Sequence, residues 1–349
     1  MGGMKESPLT PLHARLGARM AHADGWNMPH TFSSLLEEHL AARSACAIFD
    51  ISHLSKFRIC GNGAQDWLEK ALSRSVSECR DGAGLHTLML DAEGRIIDKM
   101  TLLRESAGNF LLLGHAAVQA EVAAHLAACK PHAALELRDE TEAWCGMSLL
   151  GPQCEQVISR VLRGVDLPAM GHFHRFFYQN HELILSRIGP EDEKADERAY
   201  EFFCPAVSGI SWFESFLGAG AQPCGSATRE SLRLERGCVA VGKEISRRST
   251  PGEVGLDNLC SSDKGRPDAK PPREIVARLR CTEGGRTTPE PGSSVRDSAG
   301  NTIGHITSAA FSPALEGVVA MAMLTSPFVQ PGMQLVVMIQ GHAAPAVVM

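Results

Sequence analysis

The hydrophobic period of the chain switches several times within the first 130 residues, and each switch marks an element. Ser34-Leu35-Leu36-Glu37 is a capping box in front of an Ala- and Leu-rich amphipathic run that ends near Cys46, so the pattern after Pro29 predicts a helix. Ser55–Cys60 alternates as a strand does, and Gly61-Asn62-Gly63 turns it into a helix through Gln65-Asp66-Trp67-Leu68. Leu85–Leu90 and Arg95–Leu103 flank the polar turn Asp91-Ala92-Glu93-Gly94 and predict a β-hairpin whose second strand carries Asp98 and Lys99. Neighbouring strand residues face opposite sides, so those two do not share a pocket unless the strand is bulged. Phe110–Gly114 predicts a further strand and His115–Lys130 a helix.

Strand and helix signals continue to about residue 255, among them the alternating His172-Phe173-His174, a strand at Glu182–Ile188 and a helix at Ser226–Arg236. Hairpins mixed with helices predict α+β layers rather than a doubly wound parallel sheet. Residues 261–273 are polar, contain three prolines and form the best candidate linker. Short strands at about 275–282, 302–307, 317–323 and 333–339, separated by Gly and Pro turns, predict a small β-barrel or sandwich. The expected division is an α+β region of two subdomains over 8–260 and a C-terminal β domain over 274–345.

Composition narrows the function classes. With 349 residues, 44% hydrophobic and 21% charged, the chain suits a globular protein of two or three domains. A net charge of -6 without basic clusters gives no footprint for nucleic acid or an anionic membrane. No apolar stretch approaches the roughly 20 residues that span a bilayer. The eleven cysteines are odd in number, without a Cys-x-x-Cys pair and without an apolar leader at Met1–Glu6, which predicts reduced thiols in a cytoplasmic protein.

Several motifs carry chemistry only weakly. Gly237–Glu244 has the Gly and Lys spacing of a phosphate loop, but Glu244 stands where Ser or Thr would hold magnesium, and the segment follows a helix. Gly61-Asn62-Gly63 breaks the dinucleotide pattern at its third glycine. His172 and His174 share a strand face with no further ligand cluster nearby, so no metal site is expected. Cys238 beside Arg236 is either a reactive thiol or a small core residue. Arg229 and Arg233, one i, i+4 step apart, share a helix face where they would clamp a carboxylate or lie solvated. The acidic run from Glu191 reads as a solvated loop.

Six separated segments, Gly25–Pro29, Phe49–His53, Gly94–Asp98, Arg233–Glu235, Pro251–Leu256 and Gly304–Pro313, in order and at the right spacing between about residues 8 and 340, resemble the aminomethyltransferase family, the T-protein of the glycine cleavage system and its folate-binding relatives. Gly25-Trp26-Asn27-Met28-Pro29 is similar to the family's Gly-Trp-x-Met-Pro, and Phe49-Asp50-Ile51-Ser52-His53 to Phe-Asp-Val-Ser-His. Gly94–Asp98 resembles the Gly-Gly-Ile-Ile-Asp-Asp hairpin, Arg233-Leu234-Glu235 the Arg-Leu-Glu helix end, and Pro251–Leu256 the Asn-Pro-x-Glu-x-Gly-Leu stretch. Gly304-His305-Ile306-Thr307-Ser308 with Phe311-Ser312-Pro313 resembles the C-terminal Gly-x-x-Thr-Ser-x-x-Phe-Ser-Pro element.

The resemblance implies a folate-binding cloverleaf of ferredoxin-like, antiparallel-sheet α+β domains with a C-terminal β-barrel. It also implies transfer of a methylene unit from an aminomethyl group on a lipoyl carrier protein to tetrahydrofolate as co-substrate. Carried over, Glu201 would bind the pterin, where a carboxylate accepts paired hydrogen bonds from an aminopyrimidine edge. Arg229 would belong to the same folate pocket.

This chain departs from the pattern at the catalytic hairpin. The second Asp, expected near the folate N5, is Lys99, so the catalytic pair of the hairpin becomes Asp98 and Lys99. A carboxylate favours the cationic amine that develops in transfer, and an ammonium opposes it. The pocket's tyrosine is His86 and the asparagine before the Ala-rich helix is His115, while the Gly-Tyr-Thr-Gly loop is replaced by Gly189-Pro190 and the acidic run. With two tyrosines in the whole chain, few aromatic faces remain to stack a pterin. Two alternatives share the fold: a non-catalytic folate-binding protein of the iron–sulfur maintenance type, whose Lys-Gly-Cys-Tyr-x-Gly-Gln-Glu motif Arg236-Gly237-Cys238 partly resembles, and a folate-dependent demethylase.

Overall fold

The computed structural model describes residues 3–130, 134–188, 198–261, 272–282 and 285–349. The candidate linker 261–273 lies almost wholly outside the described residues, as do Gly189-Pro190 and the acidic run up to Glu197. The chain divides into two units: one from Met1–Met89 and Ile97–Thr228, the other from Leu90–Ile96 and Arg229–Met349.

The first unit is α+β and contains three sheets. A small one joins Lys5–Glu6, Trp26–Thr31 and Arg19–Ala23 and buries Trp26 and Met28, the apolar residues of the Gly-Trp-x-Met-Pro segment. A six-stranded sheet runs in the order His172–Tyr178, His181–Arg187, Ala199–Pro205, Trp144–Leu150, Ala47–Asp50, Gln222–Pro223. A five-stranded sheet runs Gly84–Leu90, Ile96–Ser106, Asn109–Gly114, Ser55–Cys60, Glu136–Asp139. Leu35–Ser44 is the predicted capped helix: Ser34 Oγ accepts from Glu37 N at 3.2 Å, and the Glu37 carboxylate accepts from Ser34 N at 3.1 Å. The Ala-rich segment after His115 starts as a 3-10 turn, Ala116–Val118, before the α-helix Gln119–Cys129.

Strand alternation explains how the six-stranded sheet is covered. Tyr200, Phe202 and Cys204 face a core shared with Trp212, Phe213 and Phe216 of the helix Gly209–Gly218 and with Val157 and Ile158 of the helix Cys154–Val161. Phe203 faces the other way, into a second core that holds Leu103, Leu111 and Leu113 of the five-stranded sheet with Trp144, Phe173 and Ile184 of the six-stranded one. The six- and five-stranded sheets of this unit therefore face each other across an apolar layer.

In the second unit the choice between sandwich and barrel resolves as a closed six-stranded barrel, ordered Glu274–Cys281, Gly317–Thr325, Thr302–Ser312, Ser294–Arg296, Gln334–Ile339, His342–Val348. Two of its strands escape a pattern search, because Ser294–Arg296 has three residues and His342–Val348 is rich in Ala and contains Pro345. Ala320, Ala322, Leu324, Val337 and Ala346 fill the interior; small side chains suit a barrel of this size. Among the described residues no helix is long and apolar enough to cross a membrane.

Candidate active site

Three of the six resembling motifs turn out to be scaffolding built from buried polar networks. Asp50, fully buried, accepts from Ser52 N at 2.8 Å and lies 2.8 Å from His13 Nε2, and Ser7 Oγ donates to it as well. Burial works to raise the Asp50 carboxyl, but the His13 ring and the Ser7 and Ser52 donors hold it below the usual carboxylate range. Ser52 Oγ in turn accepts from Gly146 N at 3.1 Å, pinning the Phe-Asp-Ile-Ser-His segment to the six-stranded sheet.

The second unit repeats the device. Arg233 Nη1 donates to Glu244 at 2.8 Å, Nη2 to Ser308 Oγ at 2.8 Å, and Nε and Nη2 fork onto Glu230 at 2.9 and 2.7 Å. Glu244 also accepts from Ala240 N and from both Thr307 and Ser308 hydroxyls; a β-bulge between Ile306 and Ser308 turns these consecutive side chains to one carboxylate. Of the two fates open to the Arg229 and Arg233 pair, clamping a carboxylate or lying solvated, Arg233 takes the first, with Glu230 and Glu244 of its own unit. It also explains Glu244 in the loop that imitates a phosphate-binding one, since the residue closes a buried ion-pair network. Lys243 of that loop pairs with Glu230 at 2.7 Å.

The expected site residues of the first unit divide by strand face. Lys99 and Thr101 alternate with Leu103 and so face the layer between the sheets, on the same side as the paired Leu113 and Leu111. His86 joins that face, its Nδ1 3.1 Å from Thr101 Oγ1. Glu201, half-buried, alternates with Phe203 and points from the six-stranded sheet into the same layer, between Ser148 and Ser186 of the neighbouring strands. Lys99 and His86 thus lie on the face of the five-stranded sheet, and Glu201 on the face of the six-stranded sheet, that meet the layer between them. Arg229 is half-buried on the helix Ser226–Arg236 and belongs to the second unit.

Asp98 takes the opposite face, as strand alternation requires, and is completely buried. Its Oδ1 accepts from Lys99 N at 2.8 Å and lies 2.8 Å from His115 Nδ1; its Oδ2 accepts from His115 N at 3.0 Å. Gly114 makes this approach feasible, because a Cβ there would collide with Asp98 Oδ2.

Lys56 is the residue that sequence reasoning missed. It sits on the strand Ser55–Cys60, opposite Leu113, with Nζ donating to Ser52 O at 2.9 Å and Leu54 O at 2.8 Å and lying 5.9 Å from the centre of the Phe203 ring. Burial pushes its ammonium down to about 8, against the pull of the Asp50, Asp139 and Glu201 charges. The only sequence signal is a Lys near the start of an interior strand. His172 and His174, by contrast, direct Nδ1 to the Met170 and Asp166 carbonyls at 3.1 and 3.2 Å. Cys238 is half-buried with its N–H donating to Arg233 O at 3.1 Å.

Comparison with known proteins accounts for nearly the whole chain. Residues 9–264 match the GCVT N-terminal domain, and residues 276–349 match the glycine cleavage T-protein C-terminal barrel domain. An aminomethyltransferase of Geobacillus thermodenitrificans is 30% identical over 367 residues, covering 99% of this chain and 97% of its own. One from Chlorobium luteolum is 29% identical over 364 residues with the same coverage. The crystal structure of glycine cleavage system aminomethyltransferase T from Bartonella henselae shares the fold, with a TM-score of 0.89 at 24% identity over 99% of this chain and 97% of that one. Two adjoining domain matches, relatives alignable from end to end and a closed C-terminal barrel together mean that the chain belongs to the glycine cleavage T-protein, or aminomethyltransferase, family.

Proposed function

We propose that the chain is a cytoplasmic tetrahydrofolate-dependent one-carbon transferase of the aminomethyl type, with a lipoyl carrier protein as the donor's bearer. The observation that carries this reading is the full-length match to aminomethyltransferases. Glu201 on the layer between the sheets supports it, because a half-buried carboxylate there suits the aminopyrimidine edge of a pterin. Arg229 serves an anionic or carbonyl part of the folate.

Lys99 sets this chain's chemistry apart. A cationic amine developing beside its ammonium is disfavoured, so transfer proceeds with a proton acceptor other than the residue at position 99. Anaerobic calorimetry with tetrahydrofolate tests the reading: saturable binding is expected, weakened at least tenfold in Glu201→Ala and in Arg229→Ala. Undiminished binding and turnover in both variants would remove the site assignment, and no binding by the unaltered chain would remove the function.

A further inference from the structure

Three side chains stand where a proton could be exchanged near the catalytic hairpin, and their chemistry differs. Lys99 is an ammonium donor. His86 meets the Thr101 hydroxyl, its Nδ1 3.1 Å from Oγ1. His115 meets Asp98, which already accepts from two backbone N–H groups and is fully buried. In a neutral imidazole, a carboxylate facing Nδ1 selects the tautomer with the proton on Nδ1 and the lone pair on Nε2. The His115 side chain is 27% exposed while its carboxylate partner is 0% exposed, so a buried group holds a ring that still meets solvent.

The pair is built rather than accidental. Asp98 Oδ2 holds the His115 backbone N–H and Oδ1 the His115 ring, so one carboxylate fixes both the main chain and the side chain of the same residue. Gly114 leaves the space that the carboxylate occupies. Gly114 ends the strand beside the one that carries Lys99, and His115 follows it with its ring turned to Asp98, the residue before the position where the resemblance expects a second acidic group.

We propose that His115, oriented by Asp98, is the catalytic proton acceptor of this chain, and that Asp98 is its positioning residue; the inference rests on the one-carbon transfer reading. As a secondary amine of the acceptor attacks the aminomethyl carbon, its lone pair forms the new N–C bond and the electron pair of the bond between that carbon and the carrier leaves with the carrier, the carbon keeping its amino group in this step. The proton of the resulting ammonium passes to His115 Nε2. Asp98 stabilises the imidazolium, which then returns the proton to the leaving group, so that acceptor and donor exchange one carbon for one hydrogen. General acid–base groups of this kind contribute about 10²- to 10⁴-fold in rate.

The test uses the full-length chain. Histidine-15N NMR at pH 8, with His115 assigned by its loss in His115→Gln, is expected to show a protonated Nδ1 and an unprotonated Nε2; the opposite tautomer overturns the orientation by Asp98. Turnover in His115→Gly is expected to fall about 100-fold or more, with tetrahydrofolate affinity kept, and to recover on adding free imidazole. Unchanged turnover in His115→Gln, or a loss in His115→Gly that imidazole does not rescue although folate still binds, overturns this inference alone. Absence of folate binding by the unaltered chain overturns the functional reading and the inference together.

Discussion

Replacing Lys56 by Met gives a direct measure of what a buried ammonium costs this fold. In the folded protein burial lowers the Lys56 amine from an ordinary 10.5 to about 8. The charged form is therefore disfavoured in the folded state at any pH below about 8, where the unfolded chain is charged as well. Between about pH 8 and 10.5 the unfolded chain holds the proton and the folded protein releases it, so stability from this residue rises with pH across that window. The full difference is worth about 3 kcal/mol at 1.36 kcal/mol per pH unit.

The Met variant lacks this titration but leaves the Ser52 and Leu54 carbonyls without their donor, a pH-independent loss of about 1–3 kcal/mol for each orphaned group. Which protein is the more stable at pH 7 is consequently not the readout; the slope of the difference is. Buried thiols such as Cys46, pushed up by burial to about 12, and Cys79, pushed up to about 11, lose stability for both proteins above pH 9 as the unfolded thiols ionise, and this common loss cancels. Urea unfolding of both proteins in reductant at half-unit steps from pH 7 to 10 is expected to show wild type gaining about 2–3 kcal/mol on the variant. Parallel stability curves, or a gap that moves the other way, refute the buried charge.

Arg233→Ala strands the buried Glu244 carboxylate and is expected to destabilise by about 3–5 kcal/mol, a large fall in thermal midpoint; a loss under about 1 kcal/mol would mean that the network is solvated. Gly225→Ala drives a Cβ into the His30 carbonyl, while Glu38 Oε2 holds the Gly225 N–H at 2.8 Å, so a loss of about 1–3 kcal/mol is expected in chemical denaturation. A neutral result would show that the segment moves aside freely.

The chain's own pattern determined the capped helix at Leu35–Ser44, the hairpin bearing Asp98 and Lys99, and the β character of the C-terminal region, because each is encoded by local period and turn chemistry. Separated motifs in register were enough to reach the family, and alternation along one strand was enough to keep Asp98 and Lys99 apart. Closure of the barrel was not legible, since it depends on two strands whose composition is weak and whose pairing is nonlocal. Nor did spacing reveal the fate of Arg233, which shares a helix face with Arg229 in sequence yet is consumed by Glu230, Glu244 and Ser308, groups brought in by separate parts of the second unit.

The candidate site divides in the same way. Residue types at positions 86, 99 and 115 announce a changed pocket, but a sequence cannot tell an imidazole that is free to tumble from one locked by a carboxylate seventeen residues away. Only tertiary structure pairs His115 with Asp98 and sinks Lys56 beneath Phe203, because hydrogen-bond geometry and desolvation are set by which strands become neighbours.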